Sequence, residues 1–246
     1  MMKVIVNGAG GRMGGQVLNI LEERGQALQA ELAAAVDPAA AEAYPALDVY
    51  QGPADVIVDF SFHTSVYALM EYAVSRKLPV VVATTGHSPE ELECIRAAAE
   101  QIPVFHAANL SLGIALLIRF AKQAAAAFPD ADIEIVEVHH NRKVDAPSGT
   151  ALALAEAVAE VREGSSVVAG RSGFGKRVPG EITVHALRMG NIPGQHEVHI
   201  TTDTQQLTLR HETHSRALLA EGALSAARFL QGRAPGYYGM EDMIHG

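Results

Sequence analysis

Val4-Ile5-Val6-Asn7-Gly8-Ala9-Gly10-Gly11-Arg12-Met13-Gly14 runs from an apolar β-branched segment straight into a cluster of glycines. The β-branched run predicts a strand and the glycine cluster a tight turn. Val17, Leu18, Ile20 and Leu21 then continue at helical spacing. Glycines 8, 11 and 14 spell G-x-x-G-x-x-G, with Met13 where G-x-G-x-x-G wants its last glycine. Small residues here let the backbone approach a pyrophosphate, whose charge sits among the unpaired N–H groups of a helix N-terminus. Asp37 follows Gly14 by 23 residues, at the end of the next strand, where a carboxylate accepts from adenosine ribose hydroxyls. Gly8 to Gly14 alone also fits an ordinary strand-to-helix turn, and Asp37 an ordinary acid before Pro38. The strand before, the helix after and the acid in register together favour a dinucleotide. NADP-selective sites commonly add Arg after this acid, whereas here the position is Pro38. The expected cofactor is NADH or NADPH, with NADH favoured or both accepted.

The alternation continues outward. Residues 32–36, Val56-Ile57-Val58, Val80-Val81-Val82 and Pro103-Val104-Phe105 are short apolar runs. Helical stretches lie between them, over 65–75 and after Ser88-Pro89-Glu90-Glu91, where the proline and the acids mark a helix start. Apolar strands interleaved with helices predict a parallel sheet covered on both faces. Beyond residue 111 the pattern changes to a helix over 114–128, a strand over 133–138 and a helix over 150–161. From residue 165 the segments 182–187, 196–201 and 207–210 alternate with period two and no helix between them, which predicts antiparallel pairing. Gly170 to Lys176 reads as a mobile loop. The helix over 217–230 is the last element and is expected to return to the first domain. The fold class is α/β: a Rossmann-type parallel-sheet cofactor domain plus an α+β substrate domain with an open, mixed or antiparallel sheet.

Lys and Arg number 19 against 28 Asp and Glu, a formal net charge of −9, which argues against a nucleic-acid partner. With no Trp and few aromatics, the core must be aliphatic. Cys94 is the only cysteine, which excludes intramolecular disulfides and multi-cysteine metal sites. Its amphipathic neighbours make it a structural thiol. No segment reaches the eighteen or so apolar residues of a membrane span, and Met1 leads directly into a strand. A soluble protein of a reducing compartment, the cytoplasm by default, is expected, with no membrane partner.

A second stretch carries the other half of the chemistry. Glu137-Val138-His139-His140-Asn141-Arg142-Lys143-Val144-Asp145-Ala146-Pro147-Ser148-Gly149-Thr150 holds the densest cationic cluster, at a strand end and just before a helix. The histidines titrate near neutrality, and Lys143 supplies a point charge or a proton. The N–H groups of Gly149 and Thr150 at the helix start suit a carboxylate. Together these residues suit a small dianion that must also be protonated. Adjacent histidines on a strand face opposite ways, so one of the two can be structural. A metal lacks a third ligand at conventional spacing, and none is expected. Ser148 lacks a G-x-S-x-G elbow and reads as a helix cap rather than a nucleophile.

The run from His139 to Ala151 resembles the signature of the 4-hydroxy-tetrahydrodipicolinate reductase family. Gly8 to Gly14, Thr84-Thr85-Gly86, Ala107-Ala108-Asn109-Leu110-Ser111 and Arg177-Val178-Pro179-Gly180 are similar to other segments of that family, so the resemblance covers nearly the whole chain. It implies reduction of a cyclic imine-type dicarboxylate by a nicotinamide hydride, with loss of the 4-hydroxyl as water, in lysine and diaminopimelate biosynthesis. His139 is then the general acid/base and Lys143 the proton donor, while His140, Lys143, Gly149 and Thr150 hold the carboxylates. The cofactor lies along Gly8, Ala9, Gly10, Gly11, Arg12, Met13 and Asp37, its nicotinamide end against Ala83-Thr84-Thr85 and Ala107 to Leu110. Ala83 and Leu110 depart from the Gly and Phe common at these positions, and the segment between Asp37 and Asp55 is short. The resemblance also implies a cofactor domain of residues 1–111 and 215–246, and a substrate-binding and oligomerisation domain of residues 112–214. It further implies hinges at Leu110-Ser111 and His214-Ser215, and a homotetramer. Two other readings stay open on the residues alone. One is another two-domain NAD(P)-dependent dehydrogenase for a small anionic substrate; the other is a non-enzymatic dinucleotide-binding redox sensor.

Overall fold

Strand β1 (Met2–Asn7) enters the glycine turn, and helix α1 (Arg12–Arg24) leaves it, in a computed structural model that describes residues 1–245. Next come β2 (Ala30–Val36), β3 (Val56–Asp59), α2 (Val66–Arg76), β4 (Val80–Val82), α3 (Pro89–Ala99) and β5 (Pro103–His106). Helix α3 starts where the sequence places it. Ser88 accepts from the Glu91 backbone N–H, and the Glu91 carboxylate accepts from that of Ser88.

The chain then builds α4 (Leu112–Ala127), β6 (Asp132–His139), α5 (Gly149–Ala159), β7 (Ser166–Ala169), β8 (Glu181–Arg188), β9 (Gln195–Thr201) and β10 (Gln206–Glu212). It closes with α6 (Ala217–Phe229), β11 (Gly236–Tyr238) and α7 (Met240–His245). Two compact units result: Met1–Ser111 with Ala217–Gly246, and Leu112–Arg216, so Ser215 and Arg216 fall with the second.

The first unit holds a six-stranded sheet in the order β11-β5-β4-β3-β1-β2, every neighbouring pair parallel. Alternate residues of β1 feed opposite faces. Ile5 joins Ile57, Val80, Leu69 and Ile95 on the side of α2 and α3. Val4 and Val6 join Val17, Val58, Ala220 and Ala223 on the side of α1 and α6. Both faces are covered, which is why these strands are continuously apolar. Helix α6 approaches closely because its buried residues are small. A Cβ on Gly222 would lie 1.8 Å from the Leu110 carbonyl oxygen. Strand β11, three residues between Pro235 and Gly239, gives too short a pattern to read as a strand and yet completes the sheet beside β5.

The second unit holds a mixed sheet in the order β10-β9-β6-β8-β7, with α4 and α5 packed around Ile133, Ile135, Leu154, Val158, Ile182 and Val198. The antiparallel expectation holds at β10–β9 and β9–β6 and fails elsewhere. Strand β8 inserts between β6 and β7 and runs parallel to both. Helix α5 is one crossover, and the glycine-rich segment after β7 is the other. It turns through positive φ at Gly170, Gly173 and Gly180. Period-two patterning reports which face is buried, not which direction the neighbour runs. No helix among the described residues is long and apolar enough to cross a membrane.

Candidate functional site

The first unit offers a cavity of about 1190 Å³ at the carboxyl ends of β1 and β3, where the strand order reverses. Its rim is the glycine turn. Gly8 adopts φ +79°, and a Cβ there would lie 2.6 Å from the Phe60 carbonyl carbon and oxygen. A Cβ on Gly14 would lie 2.1 Å from the Gly8 carbonyl oxygen, so the helix starts in contact with the strand end. These two positions require glycine on steric grounds alone. Asp37 closes the turn from β2: its Oδ2 accepts from the Gly10 N–H at 3.0 Å and its Oδ1 from the Ala39 N–H at 2.8 Å.

Gly8, Gly11, Arg12, Met13, Asp37, Ala83, Thr84 and Thr85 all line this cavity, whereas Ala9 points into the core beneath it. Ala107, Ala108, Asn109 and Leu110 follow β5 and do not line it. Leu110 is 3% exposed in the core against α6, and the Asn109 side chain accepts from the Ser111 N–H at 2.9 Å.

An acid that the sequence does not single out ties together Asn7, Ser61 and Thr84 of the cavity lining. Asp59, at the end of β3, accepts from Asn7 Nδ2 at 2.7 Å, Ser61 Oγ at 2.5 Å and Thr84 Oγ1 at 2.8 Å. Burial pushes its carboxyl above the usual range, against the lowering effect of the bonds from Ser61, Thr84 and Asn7. An acid closing an otherwise apolar strand, directly at the reversal of strand order, was the available signal.

The second unit gathers the cationic stretch around the end of β6. Glu137 is fully buried. Its Oε1 accepts from Arg188 Nη2 at 2.7 Å and from the Ser148 N–H at 3.0 Å; its Oε2 accepts from Arg188 Nη1 at 2.9 Å and bonds His139 Nδ1. Burial raises its carboxyl, yet the bonds from Arg188, His139 and Ser148 together outweigh that and leave it below the ordinary range. Ser148 caps α5 as its spacing predicts, accepting from the Ala151 N–H at 3.3 Å. Space around Gly149 is open, with no atom within 4 Å of a Cβ built there.

Lys143 Nζ reaches the Asp145 carboxylate at 2.7 Å. His140 Nε2 faces Arg216 Nη2 at 3.4 Å, and its Nδ1 is buried with no partner. Burial, then the charges of Arg142 and Arg216, lower its imidazole. His196 on β9 is 3% exposed, stacks edge-on to His139 with ring centres 5.2 Å apart, and has its pKa lowered by burial to about 4. Arg188 and His196 had no visible role in the sequence, because strand pairing alone brings them to β6: His139 pairs with Arg188 and Glu137 with His196. Arg216, in the segment after β10, is placed by its contact with His140. Glu137 was legible in principle, two residues before His139 and so on the same face of the strand.

One unit thus carries a cleft at the reversal of strand order, rimmed by a glycine turn and the start of α1. The other unit carries a proton-bearing cationic cluster beside a capped helix start. A family model described as Dihydrodipicolinate reductase, N-terminus matches residues 2–110, and one described as Dihydrodipicolinate reductase, C-terminus matches residues 113–244. A 4-hydroxy-tetrahydrodipicolinate reductase of Caldanaerobacter subterraneus subsp. tengcongensis is 43% identical over 250 residues, covering 99% of this chain and 98% of its own length. One from Alkaliphilus oremlandii is 37% identical over 246 residues, covering 99% of each. A solved dipicolinate-bound dihydrodipicolinate reductase from Paenisporosarcina sp. TG-14 shares the fold, with a TM-score of 0.79 at 24% identity, over 98% of this chain and 99% of that one.

Proposed function

The chain belongs to the dihydrodipicolinate reductase family, and on that footing we propose how its residues divide the reaction. It is an NAD(P)H-dependent oxidoreductase that reduces 4-hydroxy-tetrahydrodipicolinate, with loss of water, in lysine and diaminopimelate biosynthesis. The first unit binds the dinucleotide. Gly8, Ala9, Gly10 and Gly11 carry its pyrophosphate at the N-terminus of α1, Arg12 and Met13 flank it, and Asp37 takes the adenosine ribose. Ala83, Thr84 and Thr85 receive the nicotinamide end, followed along the chain by Ala107, Ala108, Asn109 and Leu110. When bound, the cofactor supplies the hydride.

The second unit holds the dicarboxylate and delivers the proton. His140, Lys143 and the N–H groups of Gly149 and Thr150 take the carboxylates. Lys143 gives the proton to the anionic nitrogen or carbon left after hydride arrival, and His139 serves as general acid/base. The observation that carries this reading is the convergence of His139, His140 and Lys143 with the start of α5 at one end of β6. The dipicolinate bound by the Paenisporosarcina protein, a planar dicarboxylate, supports a substrate of that class here.

NADH serves at least as well as NADPH. A 2′-phosphate beside Pro38 would meet the Asp37 carboxylate, and Arg76, which lines the cavity with Arg12, is committed to the carbonyls of Tyr50 and Gly52. The open face of the second sheet, away from α4 and α5, presents Val136, Val138 and Leu187 and supports assembly of the 112–214 domain into a homotetramer. A reaction that consumes reduced nicotinamide fits a cytoplasmic setting.

The test is kinetic. His139→Ala and Lys143→Ala should each lower kcat by roughly 10²–10⁴-fold while NADH affinity stays near wild type. Dipicolinate should compete with the substrate, and NADPH should show no large advantage in kcat/KM. Near-normal turnover by both variants, or a strong NADPH preference, overturns the corresponding assignment.

A further inference from the structure

We propose that Glu137 is a positioning residue for His139, its buried carboxylate holding the imidazole with the proton on Nδ1 so that Nε2 is the atom that exchanges a proton during reduction. The proposal rests on the reading of His139 as acid/base. Three observations and one point of chemistry carry it. Glu137 and His139 lie two apart on β6, so both side chains leave the same face of the strand, and Glu137 Oε2 bonds His139 Nδ1 directly. A carboxylate accepts only, so the imidazole nitrogen facing it must carry the hydrogen. The carboxylate is itself fixed on both oxygens, by Arg188 at 2.7 and 2.9 Å and by the Ser148 N–H at 3.0 Å, in a site with no exposure. At the other end of the ring, a Cβ on residue 194 would lie 3.1 Å from Nε2, and Gly194 supplies none.

Arg188 makes the arrangement tolerable. A carboxylate buried without a partner is strongly disfavoured by desolvation, and a two-pronged guanidinium contact offsets much of that. Arg188 Nη2 also donates to the Asp145 carbonyl at 2.6 Å. The turn that carries Lys143 and the start of α5 is therefore tied to the same carboxylate as His139. One buried acid thus orients the acid/base and references it to the residues assigned to the substrate carboxylates.

The decisive variant is Glu137→Gln. Its amide oxygen can keep the Ser148 N–H and one Arg188 contact, but its NH2 group then faces His139 Nδ1. A donor there selects the opposite tautomer, with the hydrogen on Nε2. Imidazole ¹⁵N shifts assigned to His139 in the full-length protein should report Nδ1–H in wild type and Nε2–H in Glu137→Gln. Turnover should fall by about 100-fold, with substrate KM changed by less than about threefold. In a His139→Ala background the same substitution should cost less than about threefold, because Glu137 has nothing left to orient. Glu137→Asp, which keeps the carboxylate, should retain the Nδ1–H tautomer and recover much of kcat.

An Nε2–H tautomer in wild type overturns the proposal without any variant, and so does an equal loss from Glu137→Gln with and without His139. Full activity of His139→Ala would instead sink the acid/base reading, while the tautomer measurement still decides whether Glu137 orients the ring.

Discussion

Acidification should unload the second unit through His196. Burial holds its pKa at about 4 in the folded protein, with the neighbouring His139 charge acting in the same direction and Glu137 against it. In the unfolded chain the same imidazole titrates near 6.5. Between these values the unfolded state binds the extra proton, so stability falls as pH drops through the window from about 6.5 to 4 and is fully present above it. The linkage relation gives a loss of about 1 kcal/mol at pH 6, about 2 at pH 5 and about 3 at pH 4 from this group. Other histidines contribute in the same direction, so the comparison must be with His196→Gln at each pH.

The protein has no Trp, and urea unfolding is best followed by far-UV circular dichroism. The wild type should lose about 2 kcal/mol more than the variant between pH 7.5 and pH 5. Parallel pH dependences of wild type and His196→Gln would refute the argument that this ring is buried neutral.

Two substitutions test the local architecture. Gly14→Ala places a methyl group 2.1 Å from the Gly8 carbonyl oxygen, a backbone atom that cannot step aside, and should cost about 1–3 kcal/mol of stability. NADH affinity by titration calorimetry should also fall at least about tenfold, and unchanged binding and stability would show that the turn relaxes freely. Ser148→Ala removes the cap on α5 and should lower urea stability by about 1 kcal/mol. It leaves the backbone N–H that donates to Glu137 in place, so kcat should change only a few-fold. An unaltered urea midpoint would remove the cap from the account.

Much of the site was legible because its residues are neighbours in the chain. The glycine turn, the start of α5 and the basic run from His139 to Lys143 are local patterns, and helix starts and strand ends place them without tertiary information. Asp37 was legible because a βαβ unit has nearly constant length. The polar groups beneath these residues were not. Asp59 draws its partners from β1 and from the residues after β3 and β4, and Glu137 draws Arg188 from 51 positions away.

The longer strands and helices, the covered parallel sheet, the nucleotide-type crevice and the cationic cluster could all be read from the chain, since each follows from short-range periodicity, composition or a contiguous motif. Long-range packing alone sets β8 parallel to β6, adds β11 to the first sheet, and puts a buried carboxylate beneath the run from His139 to Lys143. The physical reason is common to all three. Strand direction, edge pairing and partners for a buried charge depend on which distant segments are brought side by side, and period-two hydrophobicity carries no information about that choice.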